Sequence, residues 1–543
     1  MQIDSTILQW LKNQDVQKTL RFSKRGIEKE SLRVTQQGRL AQSPHPQILG
    51  SALTHPQITT DFSESLLEFI TPACDSIQEA IDHLDQTHRF VSHHLPDQEM
   101  LWNLSMPCEL PAEQDIPLAR YGNSTQAQMK TIYREGLGLR YGRAMQTIAG
   151  VHYNFSLSHD FWTLLQEKKW QEKKTTSLAT KMSHKDFISD QYFAMIRNFQ
   201  RVSWLVIYLS GASPVCHANF VGKEKTSLEK VAPDTLGTRW ATSLRMSDMG
   251  YHNNAQSQLH VCYNNIDSYI DSLNYALQTP YKIYNEIGLY QNQRRVQLNT
   301  NLLQIENEYY APIRPKQPTL SGERPTRALK TRGVEYVEVR CLDIDPFCSE
   351  GVHTDVAHFV EILLIFCLLS SSPDISYEDI LIFENNRKLT VNQGRQPNLE
   401  LYDGIQNVRL HDWAISLLDQ MQPIARILDE AYSSNSYSNA LISQRDKVLH
   451  PETTPSAILW QWIENHQKSY LEFGIQLSKT WTNLQKQRDL SPEIIAQYHL
   501  WTATSLAEQK ELESRAQPDL ENYLADYFSG LPAMKQSPCA PDA

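Results

Sequence analysis

Arg25-Gly-Ile-Glu28-Lys-Glu30-Ser-Leu-Arg33 is the stretch on which the reading of this chain turns. Side chains alternate across an extended strand, so residues two apart share a face. Glu28 and Glu30 then point the same way. Three further strand-like segments repeat the theme: Asp61-Phe-Ser-Glu64-Ser-Leu-Leu-Glu68-Phe-Ile70, Gly150-Val-His152-Tyr-Asn-Phe155 and Tyr336-Val-Glu338-Val-Arg340. In the last of these, Glu338 and Arg340 share a face. A sheet that gathers Glu28, Glu30, Asp61, Glu68, His152 and Glu338 repels itself unless cations are present. Hard divalent ions such as Mg²⁺ take oxygen ligands and bridge to nucleotide phosphates. The pattern therefore points to a metal–nucleotide cradle built on a sheet.

Each member also has a plainer reading. Glu28 and Glu30 fit an exposed pair on an edge strand, His152 a satisfied core histidine, and Glu338 with Arg340 a structural ion pair. Glu68 is harder to set aside, because it sits inside Leu66-Leu-Glu68-Phe-Ile70. A buried carboxylate must be protonated, paired or metal-bound. One shared site accounts for all of these charges at once.

The chain has 543 residues, 41% apolar and 21% charged, which describes a globular protein large enough for one big or several ordinary domains. A formal net charge of −11 argues against general nucleic-acid binding, which needs a basic footprint. Eight cysteines are too sparse for a disulfide scaffold, no CxxC occurs, and reduced thiols are expected. Asp4, Lys12, Asp15 and Lys18 leave no secretory apolar core near the start. The longest apolar run, Phe359 to Leu369, is interrupted by Glu361 and is too short to span a membrane, so it reads as a buried helix. These features predict a cytoplasmic protein.

The periodicity predicts an opening helix over Ser5 to Leu20, a helix over Ile77 to Val91 and a core helix over Gln191 to Leu209. The lysine-rich stretch Trp162 to Lys185 reads as an exposed insertion or a solvated helix face. Gln297 to Glu308 alternates as a strand does. Ala311 to Arg332, rich in proline and in basic residues, reads as a loop without regular structure that closes over phosphates or simply lies in solvent. After Val352 the chain turns helical, with a helix over Trp413 to Ala431 and a capped start at Ser491-Pro492. A short helix begins at Asp519, and Gly530 to Ala543 is expected to fray. The expectation is an α+β catalytic body over residues 1–350, with an insertion near 162–185, and a helical region over 351–543 packed on the same body.

Common nucleotide and hydrolase motifs fail. Gly222-Lys223 is followed by Glu224 and makes no Walker loop, and the glycines at 136, 138 and 142 miss the dinucleotide fingerprint by one residue. HExxH and GxSxG are absent. Nucleotide binding here must rest on metal bridges and arginines carried by a sheet.

A family resemblance enters on specific segments. Arg25–Arg33, Gly50-Ser-Ala-Leu-Thr-His55, Ile58-Thr-Thr-Asp-Phe62, Leu66-Leu-Glu-Phe-Ile-Thr-Pro72, Leu104-Ser-Met-Pro-Cys108, Tyr133-Arg-Glu-Gly-Leu137, Gly150–Ser156, Gln304-Ile-Glu-Asn-Glu308, Tyr310-Ala-Pro-Ile-Arg-Pro-Lys316 and Glu335–Arg340 run in order along the chain. Together they resemble the bacterial glutamate–cysteine ligases of the single-function type. The match covers about residues 20 to 350, and the last third matches weakly.

The resemblance implies a glutamine-synthetase-like fold, with a curved, mostly antiparallel sheet and helices outside it. It also implies ATP-dependent joining of the L-glutamate γ-carboxyl to the amine of L-cysteine through a γ-glutamyl phosphate, the first step of glutathione synthesis. A related ligase with another amine acceptor is the alternative. By the same resemblance Glu28, Glu30, Asp61, Glu68, His152 and Glu338 hold Mg²⁺ or Mn²⁺, and Arg340 clamps the moving phosphoryl group. Tyr133, Leu137, Gln146, Tyr251 and Tyr310 form the cysteine pocket, and Arg245 holds a substrate carboxylate or phosphate. Cys341 stands where the family commonly has serine, which suggests sensitivity to oxidation. A monomer without membrane or nucleic-acid partners is implied.

Overall fold

Strand β1, Lys24–Thr35, runs through the middle of a seven-stranded antiparallel sheet. The computed structural model describes residues 1–174, 182–221, 226–249, 259–532, 534, 535 and 539. The other strands are β2 (Ile58–Thr60), β3 (Leu66–Ile70), β4 (Glu99–Trp102), β5 (Val151–Ser156), β6 (Ile313–Lys316) and β7 (Tyr336–Leu342). Their order is β6-β7-β5-β1-β3-β2, with β4 paired to the far end of β1. Leu32 faces both Leu66 of β3 and Trp102 of β4, so β4 and β5 share one edge of β1. Glu28 and Glu30 therefore lie on a central strand, and the edge-strand reading fails.

The two-residue period gives the sheet two unlike faces. Ile27, Phe69, Tyr153, Phe155, Val337 and Val339 are buried on the back. Against the back pack the helices Ile77–His94 and His184–Ser210, with a later helix, Thr354–Leu369, lying on both. That last helix is the apolar run read from the sequence, and it is buried. Its Glu361 accepts from Arg25 Nε at 2.7 Å and Nη2 at 3.0 Å, from the Tyr153 hydroxyl at 2.7 Å and from the Tyr437 hydroxyl at 2.8 Å. Full satisfaction of this kind is what lets a carboxylate survive inside a core.

Several local expectations needed correction. The opening helix is two helices, Ser5–Leu11 and Gln14–Leu20, because the Asn13 side chain accepts from Asp15 N and starts the second. Gln297 to Glu308 forms no strand. Its polar side chains instead serve backbone groups, as where Gln304 Oε1 accepts from Leu298 N, and only a short 3₁₀ turn, Glu306–Glu308, is regular. Residues 311–332 are not structureless, since they hold β6 and a helix, Pro325–Arg332. Pro315 fits β6 because that strand is the sheet's edge, and Pro325 fits the first helical turn, where no N–H is needed.

The lysine-rich stretch begins as a helix, His159–Lys174, with Phe161, Trp162 and Leu165 buried along one side, and residues 175–181 lie outside the described residues. Reduced thiols were expected throughout, but Cys262 and Cys539 form a disulfide with a Cα–Cα distance of 5.3 Å. A separation of 277 residues left no local sign of it. Residue 539, expected to fray, is thus tied to the body.

Candidate active site

The front face of the sheet carries the acids. In the strand register Glu28 faces His152, Glu30 faces Glu68, and Glu338 faces both Asn154 and Arg314. Asp61 joins them from the turn after β2, and a cavity of about 280 Å³ is lined by Glu28, Glu30, Asp61, Glu68, His152, Glu338 and Arg340 together. Five scattered segments thus converge on one concave surface.

The charges are unevenly matched. Arg340 Nη1 lies 3.1 Å from Glu338 Oε1 and 3.4 Å from His152 Nδ1, and Lys316 Nζ lies 3.5 Å from Glu338 Oε2. Burial raises the Glu338 pKa, but Lys316, Arg340 and His152 outweigh it and hold the carboxyl well below its ordinary value. Glu28 also ends below its ordinary value: burial and Glu338 push upward, and the hydrogen bond from His152 with the charges of His152 and Lys316 prevails. Glu30 goes the other way, to about 8, through burial and the nearby Asp61. Glu68 is pushed well above the carboxylate range by burial and by Glu28, Asp61 and Glu30. Burial and Arg340 lower the His152 pKa, against the opposing pull of Glu28 and Glu338.

These groups are placed so that they could hold a cation. Glu28, His152 and Glu338 can each offer a ligand atom with all three atoms within 4.8 Å of one another, and so can Glu30, Glu68 and His152. Carboxylate oxygens with one imidazole suit a hard divalent ion.

The helix Thr125–Tyr141 supplies one wall of the cavity with Tyr133, Leu137 and Tyr141, spaced four apart on one face. Gln146 and Tyr310 complete the wall. A second cavity, about 560 Å³, shares Tyr310 and continues past the edge of β6. Tyr251 lies outside the described residues. Arg245 does not line the acidic cavity. Its buried guanidinium donates through Nη2 to the Arg340 backbone carbonyl at 2.8 Å and lies 3.8 Å from Asp343. Cys341 is buried and its thiol is pushed up to about 12, chiefly by burial, which argues against the expected sensitivity to oxidation.

Sequence reasoning missed Asn154, which donates to Glu28 Oε1 at 2.8 Å and stands two residues after His152. It also missed Arg134, Tyr141 and Glu308, all in the cavity wall. The period-two and i+4 spacings were the signals for Asn154 and Tyr141; Glu308 is brought in by tertiary contacts, accepting from Arg140 Nη1 at 2.9 Å and from the Tyr141 hydroxyl at 2.6 Å. The basic segment before β7 divides: Arg314 and Lys316 line the cavity, while Arg324 pairs with Glu306 and Lys330 with Asp267.

The family model for glutamate–cysteine ligase matches residues 8–390. The chain belongs to the glutamate–cysteine ligase family. Among its relatives, the glutamate–cysteine ligase of Azotobacter vinelandii is 47% identical over 515 residues, covering 95% of this chain and 96% of the relative. That of Pseudomonas aeruginosa strain PAO1 is 47% identical over 506 residues, covering 93% and 94%. A crystal structure of the glutamate–cysteine ligase of Francisella tularensis in complex with AMP superposes with a TM-score of 0.86 at 38% identity, covering 93% of this chain and 97% of that one. The glutamate–cysteine ligase fold expected from the sequence is therefore the observed fold. Among the described residues no helix is long and apolar enough to cross a membrane.

Proposed function

We infer that this protein joins the γ-carboxyl of L-glutamate to the amine of L-cysteine at the expense of ATP, giving γ-glutamylcysteine, ADP and phosphate, the first step of glutathione synthesis. The observation that carries the reading is the strand register that sets Glu28, Glu30, Glu68, His152 and Glu338 on one face beside Arg340. A carboxylate is a poor electrophile, so the side chain of glutamate must first accept the γ-phosphoryl group as an acyl phosphate. The cysteine amine then attacks the acyl carbon and phosphate leaves.

Glu28, Glu30, Asp61, Glu68, His152 and Glu338 are the proposed holders of divalent cations, Mg²⁺ or Mn²⁺. Such ions supply charge neutralisation between the triphosphate and the substrate carboxylate. Arg340 sits with its fork of donors beside the acids, suited to the equatorial oxygens of a transferring phosphoryl group. Arg314 and Lys316 add positive charge at the same wall. Tyr133, Leu137, Gln146, Tyr251 and Tyr310 are the proposed cysteine pocket, and the larger cavity sharing Tyr310 offers room beyond the acids. Arg245, buried and outside the cavity lining, is assigned to positioning Arg340 through its carbonyl in place of direct contact with a substrate carboxylate. A monomer working in the cytoplasm, with residues 351–543 as a helical buttress of the catalytic body, completes the proposal.

The test is ADP release with ATP, glutamate and Mg²⁺, with and without cysteine, and mass detection of the product. Cysteine-dependent ADP release matched by γ-glutamylcysteine supports the assignment. Equal turnover with unrelated amines moves it to another acceptor, and phosphate release without ADP rules it out.

A further inference from the structure

A cavity of about 600 Å³, distinct from the acidic one, opens between Arg239 and Trp240, the 394–399 turn and the helix Pro455–His466. None of its lining residues lines the acidic cavity. Its volume falls in the range of small-molecule sites, roughly 300–1,000 Å³. Tyr208, Trp240 and Trp460 give it an aromatic wall.

Two features of that wall are incomplete as they stand. Arg395 is only 8% exposed, and its guanidinium donates to backbone carbonyls alone: Arg239 O at 2.6 Å, and Ala241 O at 3.2 Å and 3.0 Å. It forms no ion pair with a carboxylate among the described residues, so a buried positive charge stands without a counter-ion. Trp460 is 7% exposed, and its Nε1–H has no acceptor among the described residues. Buried donors are ordinarily satisfied, and an orphan on a cavity wall calls for an explanation. Arg239 adds a second cation, its guanidinium 5.3 Å from the centre of the Trp240 ring. Glu452 and Glu464 also line the cavity, but neither pairs with Arg239 or Arg395 among the described residues.

We propose that this cavity is a second small-molecule site, which takes a planar ring bearing a carboxylate or a phosphate, with the ring against Trp240 and Trp460 and the anionic group toward Arg239 and Arg395. Aromatic walls favour stacked rings, and guanidinium forks favour planar or tetrahedral oxyanions. The same chain segment runs on from Trp240 through Ser243, which donates to Asp343 at 2.8 Å, to Arg245 and its bond to the Arg340 carbonyl. An occupant would therefore rest on the segment that ends at the proposed phosphoryl clamp.

The test uses the full chain saturated with Mg·ADP, so that the nucleotide site is filled. Phenyl phosphate, benzoate and inorganic phosphate are titrated separately by calorimetry. The expected result is saturable binding of one aryl anion per chain, at least tenfold tighter than inorganic phosphate, with the better arm telling phosphate from carboxylate. Arg239→Gln removes an exposed charge and Trp460→Phe keeps an aromatic ring, so both variants keep the fold, which thermal melts verify. Each is expected to weaken binding by about tenfold, the value of one hydrogen bond to a charged or buried partner. No saturation by either aryl anion below about 10 mM, an affinity no better than that for inorganic phosphate, or an affinity unchanged by either substitution overturns the proposal.

Discussion

Arg245 Nη2 donates to the backbone carbonyl of Arg340 at 2.8 Å. Residues 95 apart are thereby joined at the point where β7 presents the Arg340 guanidinium beside Glu338 and His152. The other side of Arg245 meets Asp343, which accepts from Ala212 N, Ser213 Oγ and Ser243 Oγ at 2.8, 2.7 and 2.8 Å. A side chain at Gly150 would collide with this guanidinium, so the start of β5 is moulded around it. Arg245→Met is expected to lower kcat by about 10²-fold while the protein still binds ADP, since a small misplacement of a reacting group can have that effect. Arg245→Lys restores little of it, lacking the fork that reaches both partners. Steady-state kinetics beside ADP titration separate the two outcomes, and wild-type turnover in either variant sinks the positioning role.

Arg340→Lys is expected to reduce kcat by roughly 10³-fold, the scale of an arginine acting on a transferring phosphoryl group. Nucleotide affinity should change far less. A variant that turns over normally would remove Arg340 from the chemistry.

Glu68→Gln should act in opposite directions on stability and on metal use. Burial and the charges of Glu28, Asp61 and Glu30 raise the folded-state pKa of Glu68 well above 4.5. A carboxylate raised in this way weakens the metal-free fold progressively as pH climbs above its unfolded value. The variant escapes that loss, so its metal-free Tm should exceed the wild type's at pH 8 and converge with it near pH 4. The Mg²⁺ concentration for half-maximal activity should rise at the same time. Equal Mg²⁺ curves for the two proteins would exclude Glu68 as a ligand.

Glu361→Ala leaves the Arg25 guanidinium buried without its charge partner, along with two tyrosine hydroxyls. Breaking a buried pair from one side destabilises by about 3–5 kcal/mol. Urea unfolding should show this loss, while the activity of the remaining folded protein stays near that of the wild type.

Cys539→Ser opens the cross-link to Cys262 across 277 residues. Disulfides stabilise by about 2–4 kcal/mol in typical cases. A reductant should lower the melting temperature of the wild type and leave that of the variant unchanged; a reductant without effect on the wild type would mean the thiols are already apart.

Local pattern was enough wherever the deciding interaction lies within a few residues. The two-residue period set Glu28 with Glu30 and Glu338 with Arg340 on shared faces, and the helices expected over 77–91, 191–209 and 359–369 lie within the observed helices 77–94, 184–210 and 354–369. The order of motifs along the chain was also enough to name the family. Failures clustered where a polar side chain turned to backbone, as in residues 297–308, or where proline was judged without knowing that β6 lies at an edge.

Sequence alone determined which residues carry charge, which of them alternate with apolar neighbours, and hence that a charged face and an apolar face exist. Tertiary structure alone decided which strands lie side by side, that Arg245 grips a carbonyl below the cavity, that Arg25 finds Glu361, and that two cysteines 277 residues apart meet. The physical reason is range. Strand and helix periodicity is written into adjacent backbone dihedrals, whereas a buried charge chooses its partner only when packing brings distant segments within about 3 Å and excludes water from both.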